Sequence, residues 1–182
     1  WERAVAETME QFGRLDVLVN NAGNVVVANI LDTTIEDYRW QQRVNLEGAF
    51  LGCKHVIPAM TSSGGGSIVN MSALCARVGV GSLPAYSAAK AGLHGLTRSV
   101  ALWCVNAANE IRCNTILAGS FDTGMATRPP AFMRDEPQVA LTHSLPLGDP
   151  VDLANFVLFL SSDEARWITG QVLAIDKGRS VY

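Results

Sequence analysis

The stretch Leu15-Asp16-Val17-Leu18-Val19-Asn20-Asn21-Ala22-Gly23 decides how the rest of the chain is read. Its first six residues form a short β-branched and aliphatic run, which predicts a buried strand of a parallel sheet. Asn20 to Gly23 then make a small polar turn at the strand's carboxyl end. In open α/β sheets, ligands bind outside that edge. By itself the turn is either an ordinary connection or one wall of a binding site.

Working outward, residues 1–12 carry Val5, Met9 and Phe12 at helical spacing, and Gly13 stops the pattern. The chain opens on Trp1 inside a helical pattern, so a preceding segment is expected. After a loop over 24–33, Thr33 or Thr34 can cap a helix whose first turn holds Glu36 and Asp37. This helix is expected to reach about Met60, with Tyr38, Val44, Phe50, Leu51 and Ile57 on its apolar face. Asn45 lies mid-helix, where its amide competes for backbone bonds; it either faces solvent or serves the site. Ser62 to Gly66 form a turn, and Ser67-Ile68-Val69-Asn70-Met71 form a second strand ending at Ser72-Ala73. A loop with Gly79 and Gly81 leads to a helix from Pro84 to about Ala108. Its face Leu93, Leu96, Val100 and Trp103 reads as core or subunit contact.

Ile111 to Leu117 form a third strand, left at Ala118-Gly119. Residues 120–147 show no long regular period. A connection of that length in a compact domain is usually functional, and Met125, Pro129, Pro130, Phe132 and Met133 predict a lid or substrate segment over something apolar. Asp149-Pro150 start a helix with Phe156, Val157 and Leu160, and residues 168–175 supply a turn and a fourth strand. Strands alternating with helices predict a three-layer αβα fold around a mostly parallel sheet with right-handed crossovers. Residues 1–182 read as one domain. The polar clusters at 20–23, 72–86 and 118–123 then fall on one rim, toward which Asn45 can point.

Composition narrows the function. Of 182 residues, 48% are hydrophobic and 17% charged, which suits a sheet covered on both faces. A net charge of -3 gives no nucleic-acid footprint. No apolar run reaches the ~18 residues of a membrane span. Cys53, Cys75, Cys104 and Cys113 have no C-x-x-C spacing and no metal pattern with the three histidines. Buried free thiols and a reducing, cytoplasmic setting are expected.

One helix pair carries the chemistry. In Leu83-Pro84-Ala85-Tyr86-Ser87-Ala88-Ala89-Lys90, the tyrosine and lysine are four residues apart in an alanine-rich segment. Positions i and i+4 share a helix face, so an ammonium lies beside a phenol. A nearby positive charge favours the phenolate, which makes the pair a candidate general acid/base.

Together these residues resemble the short-chain dehydrogenase/reductase family, over nearly the whole chain. Asn20-Asn21-Ala22-Gly23 is similar to its N-N-A-G turn beside the cofactor's adenosine side. Asn45, twenty-two residues after Gly23, matches its helix asparagine. Tyr86-x-x-x-Lys90 matches its active-site motif. Asn114 through Thr123 resembles its N-x-x-x-P-G-x-x-x-T region, and Asp152 to Gly178 its closing helix and strand. The resemblance implies a Rossmann-like domain that uses NAD or NADP to interconvert a secondary alcohol and a ketone. Tyr86, Lys90, Asn45 and Ser72 are the implied catalytic residues. Asn20, Ala22, Gly23, Tyr86, Lys90, Gly119, Phe121 and Thr123 are the implied cofactor contacts. Tyr86 would move the proton, Lys90 would lower its pKa and bind the nicotinamide ribose, and Asn45 would link Lys90 to solvent. A hydrophobic small-molecule substrate and a homodimer or homotetramer, paired through the helices at 34–60 and 85–108, are expected.

Departures from the pattern are equally specific. The family's first strands and Gly-rich phosphate turn precede the segment aligned with Trp1, so residues 1–182 correspond to the C-terminal two-thirds of such a domain. The family's serine, thirteen residues before the tyrosine, falls on Ala73, with Ser72 adjacent. Either Ser72 takes that role, or the carbonyl loses a donor of the kind worth ~3–4 kcal/mol. Ala118 replaces a proline and Lys177 a glycine. Without the neighbouring strand, the strand at 15–20 becomes a sheet edge. The rival reading is a non-catalytic relic of the fold acting as a binding or oligomerisation module.

Overall fold

The computed structural model describes residues 1–123 and 146–181. Its centre is a four-stranded, fully parallel sheet in the order β1 (Val17–Asn20), β2 (Gly66–Ala73), β3 (Ile111–Ala118), β4 (Val172–Ile175). β2 and β3 pair along eight positions, from Gly66 opposite Ile111 to Ala73 opposite Ala118.

Side chains alternate across the sheet, as the pleat requires. On one face Leu18, Ile68 and Cys113 pack with Cys53, Val56 and Met60 of α3 (Gly48–Ser62) and Ala101 and Cys104 of α4 (Pro84–Asn106). Val5, on α1 (Glu2–Phe12), joins this core. On the other face Val69, Met71 and Ile116 pack with Leu160 and its neighbours on α5 (Pro150–Ser161). The expected three-layer fold is therefore present. β1 is an edge strand. Leu18 is buried under the helices, whereas Val17 and Val19 on the opposite face are each 38% exposed.

Helix starts follow the chemistry read from the sequence. Thr34 caps α2 (Ile35–Gln42) by accepting from Asp37 N, and Asp149 caps α5 by accepting from Val151 N. The expected long helix from 34 to 60 is interrupted. Arg43–Glu47 widen into a π-turn in which Gly48 N donates to Arg43 O. Such bulges frequently mark functional sites, and Asn45 sits inside this one. α4 buries Ala89, Leu93, Thr97, Ala101 and Cys104. This stripe of mostly small side chains lets the helix lie close on the sheet, and Trp103 is left outward and exposed. All four cysteines are buried free thiols, as expected. The lid reading for 120–147 falls almost wholly outside the described residues, which include only its flanks. There Phe121 bridges Gly148 in parallel, with Asp122 N donating to Gly148 O and Gly148 N to Ser120 O.

Candidate active site

The carboxyl rim of the sheet gathers most of the implied residues. The turn after β1 leaves Asn21, Ala22 and Gly23 exposed. A Cβ at Gly23 would stand 2.8 Å from Asn45 Oδ1 and 3.4 Å from Lys90 Nζ. Only a glycine leaves that approach open, so Gly23, Asn45 and Lys90 share one small volume. α4 brings Lys90 there beneath Tyr86, with Nζ 5.5 Å from the ring centroid. Gly92, two residues on, packs so closely under Leu46 of the π-turn that a Cβ would meet Leu46 Cδ2 at 2.7 Å. That close contact holds Asn45 and Lys90 side by side.

Asn45 is fully engaged with the loop after the turn. Its Oδ1 accepts from Asn24 N at 3.1 Å, and its Nδ2 donates to Asn24 O, Asn24 Oδ1 and Gln41 O, each at 2.9 Å. An asparagine is stable here because its amide is satisfied on both sides: three of its bonds go to Asn24 in the loop and one to Gln41 O in the preceding helical turn.

Lys90 is 4% exposed, and Nζ donates to Met71 O at 2.8 Å. Burial pushes its pKa down to about 8. Burial also pushes the Tyr86 phenol up from its ordinary value, and the nearby Cys75 thiol adds to the rise. The expected lowering of Tyr86 by Lys90 is therefore not the dominant effect in this chain. Desolvation of the phenolate outweighs an ammonium that is itself buried and easily neutralised. The Tyr86 hydroxyl makes no hydrogen bond to any described residue.

Two implied residues are placed differently from expectation. Ser72 does not face Tyr86. Strand alternation turns it toward α4, where its hydroxyl donates to Lys90 O at 3.0 Å and lies 2.9 Å from His94 Nε2. It fastens the lysine's backbone to β2, so in this structure its hydroxyl is engaged with α4 rather than turned to the position expected of the family's serine. Asn20 likewise turns inward. Its Nδ2 donates to Asn70 Oδ1 at 2.8 Å and approaches Ala49 O and Cys53 Sγ, so it braces β1 against β2 and α3 rather than lining the rim. The other implied residues lie at the ends of β1 and β3. Gly119 N donates to Ile175 O, buried Phe121 packs its ring on Gly148, and Thr123 N donates to Phe121 O.

The sequence reading missed Gln41 and Gln42. Val26 N donates to Gln41 Oε1 at 3.0 Å, and Gln42 Nε2 donates to Ala85 O at 2.9 Å, beside Tyr86. Their four- and three-residue spacing from Asn45 was the available signal, and it distinguishes nothing without the fold.

A parallel sheet with a glycine-floored rim and a Tyr–Lys–Asn cluster defines the class of dinucleotide-dependent oxidoreductases. Comparisons narrow it. Residues 1–180 match the family described as enoyl-(acyl carrier protein) reductase. The chain is 38% identical over 185 residues to the 2,5-dichloro-2,5-cyclohexadiene-1,4-diol dehydrogenase LinX of Sphingobium indicum, covering all of this chain and 71% of that one. It is 37% identical to the trans-4-hydroxycyclohexanecarboxylate dehydrogenase of Sinomonas cyclohexanicum, over 99% of this chain and 66% of that one. It is 34% identical to the NADP-dependent (R)-specific alcohol dehydrogenase of Lentilactobacillus kefiri, over 98% and 71%. Among solved structures, a short-chain dehydrogenase/reductase of Burkholderia xenovorans superposes with a TM-score of 0.85 at 36% identity, covering all of this chain and 70% of that one. The chain belongs to the short-chain dehydrogenase/reductase family and is an oxidoreductase.

Proposed function

We propose that this enzyme interconverts a small cyclic secondary alcohol and its ketone with NAD or NADP, and that Tyr86 is the general acid/base. The observation that carries the reading is Tyr86 itself. Its ring lies against Lys90 Nζ at the carboxyl rim, and its hydroxyl bonds to none of the described residues, so its hydrogen-bonding capacity remains for a substrate oxygen. The exposed turn ending at Gly23 lies at the carboxyl end of β1, the edge at which open α/β sheets take their ligands, and the lack of a Cβ at Gly23 lets Asn45 and Lys90 close up beneath it. Gly23, Tyr86, Lys90, Gly119 and Phe121 would hold the dinucleotide, and when bound it accepts or donates hydride at the substrate carbon.

In the oxidation direction Tyr86 takes the hydroxyl proton as the C–H bond gives up hydride and the C–O bond becomes double. In reduction Tyr86 returns that proton to the carbonyl oxygen. A phenol kept neutral by burial is suited to the donating role at neutral pH. Lys90 stabilises the phenolate when it forms, and Met71 O holds Lys90 in place. The six-membered-ring alcohols in the names of two relatives support the substrate class. Ala73 removes a donor to the carbonyl and lowers the rate without changing these roles.

The test is a steady-state assay of the full-length protein with NAD and NADP against cyclohexanol and trans-4-hydroxycyclohexanecarboxylate. Turnover with at least one pair, abolished in Tyr86→Phe, is expected. Turnover that survives Tyr86→Phe would remove the assignment.

A further inference from the structure

Gln41 is wholly buried on α2, yet only half of its amide is satisfied: Oε1 accepts from Val26 N, while Nε2 has no hydrogen-bond partner among the described residues. Asn24 Nδ2, across the same junction, is also buried without such a partner. An apolar side chain of similar volume would fill the space under α2 without leaving a buried donor unpaired, which is a destabilising arrangement. Packing therefore does not account for a glutamine here. What the amide does is pin the loop after Gly23. Gln41 Oε1 holds Val26 N, and Asn45, bonded through Nδ2 to Gln41 O, holds Asn24.

The next residue reaches the opposite wall. Gln42 Nε2 donates to Ala85 O, one residue before Tyr86. The same two walls meet again where Ala28 N donates to Ser82 O, joining the loop after Gly23 to the loop that leads into α4. Two adjacent side chains on one helix thus bond separately to the Gly23 floor and to the Tyr86 helix.

We propose that Gln41 and Gln42 are positioning residues: Gln41 sets the Gly23 floor, Gln42 sets the start of the Tyr86 helix, and together they fix the gap between them. The inference rests on the Tyr86 reading above for its account of turnover, but its binding arm stands apart from that reading.

The test uses Gln41→Met and Gln42→Met in the full-length protein, with NADH and NADPH titrated by fluorescence, kcat and KM for cyclohexanol, and the melting temperature. Gln41→Met should weaken reduced-cofactor binding roughly tenfold, because the floor loop loses its anchor. Gln42→Met should lower kcat roughly tenfold while leaving cofactor affinity within about threefold. Gln41→Glu measured at pH 5.5, where a buried acid is neutral and shaped like the amide, should bind cofactor like the wild type, and it decides the Gln41 assignment if the methionine variant does not fold. Unchanged binding and turnover in both methionine variants would overturn the proposal. So would losses that are equal in both and track the drop in melting temperature. If Tyr86→Phe remains active, the Tyr86 reading fails while the shift in Gln41→Met binding still tests the floor assignment.

Discussion

Two polar groups are built into this molecule, and they are finished differently. One is a seam between the sheet and its helices. Asn20 Nδ2 donates to Asn70 Oδ1, Asn70 Nδ2 to Thr97 Oγ1 at 2.8 Å, and Thr97 Oγ1 lies 2.6 Å from Thr115 Oγ1. Asn70, Thr97 and Thr115 are fully buried, and none has an orphaned side-chain atom. The other is the rim around Lys90. There Asn24 Nδ2, Gln41 Nε2, Ser82 Oγ and Ser87 Oγ are buried without hydrogen-bond partners among the described residues, and Tyr86 offers a hydroxyl that no described residue engages. A satisfied buried network rigidifies a core, whereas an unfinished one is a cost that persists where a ligand or a reaction uses it. The seam has the finish of a structural core, and the rim has the finish expected of the proposed site.

The largest effect that tests this contrast is Tyr86→Phe. Loss of a general acid/base is expected to cut kcat roughly 10²–10⁴-fold, while stability stays level because no protein hydrogen bond is removed. A matching loss of stability, read from urea unfolding, would place Tyr86 with the seam instead. Next comes Ala73→Ser, which restores a hydroxyl at the family's serine position and should raise kcat roughly ten- to hundredfold. An unchanged rate would mean that another group already supplies the donor.

Lys90 comes third. Its pKa is about 8 in the folded chain against an ordinary 10.5. Between those values the unfolded chain holds more protons, so stability contributed through this residue rises as pH climbs from about 8 to 10.5 and is lowest below 8. Lys90→Met should remove that rise and relieve a burial cost of about 3 kcal/mol at neutral pH, while activity is lost. Urea midpoints of the two proteins that stay parallel from neutral to alkaline pH would contradict it.

Asn70→Ala probes the seam. It removes the 2.8 Å acceptor of the Asn20 amide and the Asn70 bond to Thr97, leaving Thr97 only its bond with Thr115, and should cost roughly 2–3 kcal/mol in urea unfolding, with the cofactor affinity of the folded fraction unchanged. A loss of affinity without a loss of stability would erase the distinction between the two groups. The smallest effect is at Lys177, at the end of β4, which adopts φ 55°. Lys177→Gly should stabilise the chain by roughly 0.5–1 kcal/mol, because the left-handed region penalises a side chain there. A lower melting temperature would show that the lysine makes a compensating contact.

The sequence by itself determined the elements, their order and the Tyr86–Lys90 pair. Hydrophobic period, caps and the alternation of strands with helices are local properties, and they placed β2, β3, α4 and the caps at Thr34 and Asp149 within a few residues. The resemblance also singled out Asn45 and Gly23 from their positions along the chain, and the structure brings the two together. Tertiary structure decided which way side chains turn and what they cost. One step along β2 sends Ser72 into α4 and leaves Ala73 on the other face. A π-turn that no periodicity announces aims Asn45 at its loop. Burial, set by the surroundings rather than by spacing, raises Tyr86 and lowers Lys90, the reverse of what proximity alone predicts for the phenol. Gln41 and Gln42 read as ordinary helix residues until α2 is seen between the two walls of the site. Direction and desolvation are properties of the packed molecule, and a linear pattern does not contain them.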